Sequence, residues 1–292
     1  MKHVPLGWTS RYWDILEQVF WVPSYIGLKS ILKKTWQIED GRVSLPKELV
    51  NMKSQIYTRK RSRDEYWAFI QRQEETFNHA FDLTLGIMDG QAIVDLFGSL
   101  AKLESRKALS GLGREQLGRY SFLANANATQ PDGFLTSEDA IFMIELKFNA
   151  PTSLDQLAKY LALALAEETL TGTRLEVALL YVVPGPDPKL KVQRQLGVRL
   201  EHLRDIPVEL LISEVQNEVT RRYLKANEML LEKMMRRIRV TAISWSTLHC
   251  SIADYVDLLG DGPGNKTLAN LLSGLAEAIA IHPYSKAVQD GD

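Results

Sequence analysis

Asp132, Glu145, Lys147, Gln156 and Tyr160 are the residues of this chain whose types and spacing suit chemistry. Glu145 and Lys147 interrupt the apolar run Ile141 to Phe148, where an ordinary core strand excludes charge unless it is paired or liganded. Two carboxylates on one face can hold a hard divalent cation, which prefers oxygen ligands. Such a cation neutralises a phosphate and lowers the pKa of an attacking water, while a nearby amine orients that water. Asp132 and Glu145 are the candidate metal ligands, the Leu146 carbonyl is a further donor, and Lys147 is the candidate for positioning the water. The competing reading is a surface ion pair between Glu145 and Lys147 at a frayed strand end, which would contribute little.

Those residues need elements to present them. Thr136-Ser-Glu-Asp139 is polar between two apolar stretches and reads as the four-residue loop of a hairpin. That loop pairs Leu135 with Ala140 and Asp132 with Met143. Asp132 then lies diagonal to Glu145 on one face, with Cα atoms roughly 7–8 Å apart. Lys147 shares the face, and Phe142, Ile144, Leu146 and Phe148 fill the other. The spacing predicts a helix from about Leu154 to Thr169, on which Gln156 and Tyr160 stand one turn apart and face the same way. Ser153-Leu-Asp-Gln156 also fits a capping box, so Gln156 has a structural role open to it as well.

Upstream, a long helix is expected from Asp64 to about Leu85, with Tyr66, Ile70, Phe77 and Phe81 on one stripe. Glu74 flanks the stripe and is the candidate helix-borne metal ligand; Glu75 or His79 could take its place. An irregular, glycine-containing region with Gly98, Gly111, Gly113 and Gly118 follows. After the Leu154 helix comes a strand from Arg174 to Val183, ended by Pro184-Gly-Pro186. The rest reads as a helix near 188–204, a long helix near 214–236, a short strand near 240–245 and two further helices. Residues 8–37 read as helical with a break at Pro23. The expected organisation is a helical N-terminal extension with a basic segment over 1–63, a core over 64–186, and a mainly helical region over 187–292 packed on that core.

The chain has 292 residues, 45% of them apolar, enough for a sizeable core. Thirty-five basic against 36 acidic residues leave a formal charge of −1, so an anionic partner must meet a local patch. The densest basic segment is Lys53, Arg59, Lys60, Arg61 and Arg63, and further basic residues run through 189–204 and 221–239. A single cysteine, Cys250, excludes an internal disulfide framework and a multi-cysteine zinc site; it is expected as a small buried thiol in a reducing cytoplasm. No apolar run approaches the ~20 residues of a membrane helix, so no membrane partner is expected and the localisation is read as cytoplasmic.

Asp132, Glu145-Leu-Lys147 and Gln156-x-x-x-Tyr160, preceded by an acid-bearing helix, together resemble the PD-(D/E)xK nuclease superfamily over about residues 64–185. The last element is similar to that of the RecB-like exonuclease branch. The resemblance implies an α/β, restriction-endonuclease-like fold: a mixed central sheet flanked by helices, here with helical N- and C-terminal additions. It also implies a nuclease dependent on Mg2+ or Mn2+, with Asp132 and Glu145 as metal ligands, Lys147 as the catalytic lysine and nucleic acid, by default DNA, as substrate. Members commonly act as homodimers or within protein complexes. The RecB-like branch usually has a histidine after a glycine in its first helix, whereas His79 follows Asn78.

A second class of function is a catalytically inactive module that keeps this fold and binds nucleic acid or a protein. Gly260-Asp-Gly-Pro-Gly-Asn-Lys-Thr267 nearly matches a phosphate-binding loop, but Asn265 replaces the glycine before the lysine. It reads instead as a turn between helices with Thr267 as N-cap. Neither a Gly-x-Ser-x-Gly elbow nor a His-Glu-x-x-His zinc motif is present.

Overall fold

The seven residues Ala140–Leu146 are all buried, because helices cover both faces of the strand they form. A strand in that position must be apolar on alternate and intervening residues alike. The computed structural model describes residues 37–39, 42–44, 74–111, 131–148, 150–282 and 285. The chain divides at Thr76–Phe77 into two units.

Of the first unit, the described residues before 74 form a hairpin of β1 (Gln37–Glu39) and β2 (Arg42–Ser44), paired antiparallel. Asp40-Gly41 separates them in the sequence, a strong hairpin signal; Gln37, the last residue of the helix expected over 8–37, lies in β1, and residues 8–36 lie outside the described residues. The basic segment 53–63 lies outside the described residues.

The chain then runs through α1 (Glu74–Ile87), α2 (Gly90–Ala101), β3 (Ser110–Gly111), β4 (Gly133–Thr136) and β5 (Ala140–Leu146). Next come α3 (Leu154–Thr171), β6 (Glu176–Val183), α4 (Pro188–Leu196), a 3-10 turn over Leu200–Asp205 and α5 (Val208–Glu214). Last are α6 (Glu218–Ala226), α7 (Glu228–Met235), β7 (Arg239–Ser244), α8 (Trp245–Leu258) and α9 (Pro263–Ile281). The five-stranded sheet has the order β3-β4-β5-β6-β7, antiparallel from β3 to β5 and parallel from β5 to β7. It is a mixed sheet flanked by helices, in an α/β arrangement.

Its faces are distinct. Ile141, Met143, Val177, Leu179 and Tyr181 pack with α3 and residues of α4 to α7. Phe142, Ile144, Leu146, Leu180 and Val182 pack with α1, α2, α8 and α9. β7 is the third parallel strand, so the segment after 187 supplies both sheet and helix. Among the described residues no helix is long and apolar enough to cross a membrane.

Several local expectations are corrected. The region around Gly98 is not irregular: it forms α2, capped by the Asp89 side chain and closed by Lys102 in the left-handed conformation. Gly90 belongs there because a Cβ would lie 2.4 Å from the Leu109 carbonyl oxygen, where the following loop folds back. The helix expected over 188–204 stops at Gly197, whose φ of 70° ends α4. The long helix expected over 214–236 is two shorter ones, α6 and α7, broken at Asn227, and Glu214 instead ends the preceding α5. Thr267 lies inside α9, its hydroxyl on the Pro263 carbonyl, and Gly262 is the N-cap. Cys250 is exposed, because α8 buries the stripe Trp245, Leu248 and Ile252 and turns Cys250 away from it.

Candidate active site

The hairpin that carries Asp132 is tighter than its polar loop suggested. Thr136 pairs with Ile141 instead of sitting in the loop, and the Ser137 N–H donates to the Ala140 carbonyl at 2.9 Å. Ser137 Oγ in turn accepts from the Ala140 N–H at 3.0 Å, so polar residues satisfy the turn around Glu138-Asp139. Gly133 therefore pairs with Ile144, where the expected register had placed it two residues earlier. A shift of two preserves the face, because strand side chains alternate with period two. Continuing the register sets Asp132 opposite Glu145, directly across the ladder instead of diagonal to it.

Asp132 bridges two elements. Its Oδ2 accepts from the Leu146 N–H at 2.7 Å, and its Oδ1 accepts from the Asn78 amide on α1 at 2.5 Å. The Asn78 orientation follows from chemistry, since only its NH2 can face a carboxylate. Its own Oδ1 is buried and has no hydrogen-bond partner among the described residues. The Leu146 carbonyl leaves the strand on the same side as its N–H, towards Asp132.

Glu145 is buried at 3% exposure and accepts from three side chains. Lys147 Nζ lies 2.6 Å from Oε1, the Gln156 amide donates to the same oxygen at 2.7 Å, and the Tyr160 hydroxyl donates to Oε2. Gln156 also donates to the Tyr160 oxygen at 2.9 Å. Burial pushes the Glu145 carboxyl up from its ordinary value, against the pull of Lys147, Tyr160 and Gln156. Burial, followed by the charge of Glu145, holds the Tyr160 hydroxyl well above the usual tyrosine range, so it remains a donor.

Gln156 divides its two roles between backbone and side chain. Its backbone N–H takes the Ser153 cap at 3.2 Å, while its carboxamide reaches the site. Lys147 lies one residue beyond β5 with its backbone held at both ends: its N–H donates to the Val182 carbonyl at 2.8 Å and its carbonyl accepts from Trp245 at 2.9 Å. Phe148 stacks on the Trp245 ring at 4.4 Å, so the start of α8 fixes the lysine's place.

The structure thus brings Asp132, Glu145, Lys147, Gln156 and Tyr160 together at the carboxyl end of β5. In open α/β sheets that is where ligand sites form. The side chains of Glu74, Glu75 and His79 lie outside the described residues, and Asn78 is the described α1 residue that meets Asp132. Asn78, Thr152, Tyr181 and Trp245 were missed by sequence reasoning. Asn78 follows Phe77 at the edge of the core stripe, the one signal that could have found it; Thr152 stands four residues before Gln156, and Tyr181 and Trp245 reach the site only through tertiary contacts.

Among the described residues no group of three or more His, Cys, Asp and Glu side chains gathers to hold a metal. The oxygen set of Asp132, Glu145, the Leu146 carbonyl and Asn78 Oδ1 still suits magnesium, which commonly uses one or two carboxylates and keeps water and substrate oxygens. Comparison with known proteins gives no match to a family model, a curated protein or a solved structure.

Proposed function

We propose that this protein is a metal-dependent nuclease with a restriction-endonuclease-like core, acting on nucleic acid, by default DNA. One observation carries the reading: at the end of the β4–β5 hairpin, Asp132 sits on the Leu146 N–H while Glu145 is held by Lys147 and a Gln-x-x-x-Tyr pair. Asp132 and Glu145, with the Leu146 carbonyl and Asn78 Oδ1, would hold Mg2+ or Mn2+. Bound there, the ion would neutralise phosphate charge and lower the pKa of a bound water.

The remaining work falls to the chain's own side chains. Lys147 supplies a buried ammonium beside Glu145, able to orient a water and donate to a phosphate oxygen as negative charge develops. Gln156 and Tyr160 hold the Glu145 carboxylate in one orientation. Asn78 and the Leu146 N–H do the same for Asp132. Holding reacting groups in place removes orientational entropy from the barrier.

A DNA and RNA panel of single-stranded, nicked and duplex substrates tests the reading, with Mg2+, Mn2+ or chelator. Metal-dependent cleavage is expected from the native protein and its loss from Asp132→Ala, Glu145→Ala and Lys147→Ala. Undiminished cleavage by all three variants would sink the proposal. A second reading, a nuclease-fold module that binds without cutting, is favoured by the engagement of both Glu145 oxygens by protein donors. Retention of labelled DNA with no cleavage under any metal would select it.

A further inference from the structure

We propose that Thr152 and Tyr181 are positioning residues that, through Gln156, fix the direction of a hydrogen-bond chain ending on Glu145. Thr152 is buried and precedes the Ser153 cap of α3; Tyr181 is fully buried on β6, in register with Glu145. Thr152 Oγ1 lies 3.2 Å from Gln156 Oε1 and 3.3 Å from the Tyr181 hydroxyl. The Thr152 N–H is anchored separately, donating to Gln195 Oε1 on α4 at 3.2 Å.

Donor counting sets the direction. Gln156 Oε1 only accepts, so it takes the single hydroxyl proton of Thr152. Thr152 Oγ1 then accepts the proton of Tyr181, whose hydroxyl is kept protonated by burial. The two amide hydrogens of Gln156 are thereby turned to Glu145 Oε1 and the Tyr160 oxygen. Tyr160 donates its own hydroxyl hydrogen to Glu145 Oε2. Rotating the Gln156 amide by half a turn would set its oxygen against the carboxylate, so Thr152 holds it in the productive orientation. The chain is polarised from the buried tyrosine towards the carboxylate, and such chains strengthen their members.

The inference rests on the nuclease reading for its consequence, and its test separates the two. The probes are Mn2+ titrated calorimetrically and the Gln156 side-chain amide signals in 15N-labelled protein, with folding checked by circular dichroism. In metal-free protein, Thr152→Val should speed solvent exchange of the Gln156 side-chain protons at least about tenfold. Its Mn2+ affinity should fall about tenfold, as for other loss of support behind a ligand. Thr152→Ser, which keeps the hydroxyl, should restore both to within about twofold; Thr152→Ala replaces Thr152→Val if the latter fails to fold. Gln156 exchange unchanged in a folded Thr152 variant, or not rescued by serine, would overturn the proposal. If the native protein binds no Mn2+ yet the amide behaves as described, the nuclease reading fails and the positioning role stands.

Discussion

The two ends of the parallel strands bury charge in different ways. At the amino end of β6 and β7, Arg237 meets both oxygens of Glu168 at 2.5 Å and also donates to the Leu175 carbonyl. Arg239 pairs with Glu104 and Glu176, and Glu176 also accepts the N–H groups of Glu104 and Ser105 at 2.8 Å. These contacts join residues 62 to 135 positions apart. At the carboxyl end, one carboxylate collects three side-chain donors while a second stands across from it, beside a buried amide oxygen with no partner among the described residues. At the amino end matched charges tie distant chain segments together; at the carboxyl end the Glu145–Lys147 pair is local and every carboxylate oxygen is held by a protein donor.

Breaking each end should therefore read out differently. The largest effect is expected at the carboxyl end: Lys147→Met should slow metal-dependent cleavage by at least about a hundredfold, the scale of losing one electrostatic donor. Single-turnover kinetics at saturating metal measure it; equal rates for Lys147→Met and native protein would erase the distinction between the ends. At the amino end, Arg237→Met should leave cleavage by the folded protein unchanged. It strands the part-buried Glu168, and urea unfolding should show a loss of about 2 kcal/mol, below the range for a fully buried pair.

A smaller expected effect sharpens the same contrast. Asn78→Ala should weaken Mn2+ binding about tenfold, because an outer partner and an oxygen donor are lost together. Calorimetry on the folded variant checks it, and unchanged affinity would confine Asn78 to holding Asp132.

His282 supplies a pH test beside the carboxyl end. Its ring stacks on Phe148 at 3.7 Å, and burial lowers its pKa from 6.5 to about 4. Between those values the unfolded chain binds more protons than the folded one, so stability should fall as pH drops through that window. Urea midpoints at pH 7 and 5.5 should differ less in His282→Phe than in the native protein. An equal difference in both would assign the slope to other groups. The smallest effect is expected for Cys250→Ser, within about 0.5 kcal/mol, since an exposed side chain away from special features rarely matters.

Much of the carboxyl end was legible. The apolar run around Glu145 announced a buried charge, and the i, i+4 spacing placed Gln156 beside Tyr160 before any contact was known. The hairpin register was misread by two residues, because Thr136 is polar yet pairs in the ladder. The face survived that error only because strand side chains repeat every two residues. A slip of one would have sent Asp132 to the opposite side. The α2 segment was misread because Gly98 was weighed as a breaker, whereas its helix packs against β6 and β7, and packing overrides one unfavourable propensity.

The amino end was hardly legible at all. Arg237 and Arg239 read as part of a basic surface, yet both are spent on glutamates far away in sequence. Arg221, Arg222 and Arg236 are likewise paired, with Glu218 and Glu232.

By itself the sequence determined which residues must be buried on β5, where α3 begins and which residues share its faces, because these follow from local periodicity and capping. Only the tertiary structure decided that Asn78 meets Asp132, that Trp245 holds Lys147 in place, and that Thr152 and Tyr181 stand behind Gln156. The Asn78–Asp132, Trp245–Lys147 and Tyr181–Thr152 contacts join segments from 29 to 98 residues apart. No local rule encodes such distances; they arise when the helices close over the two faces of the sheet.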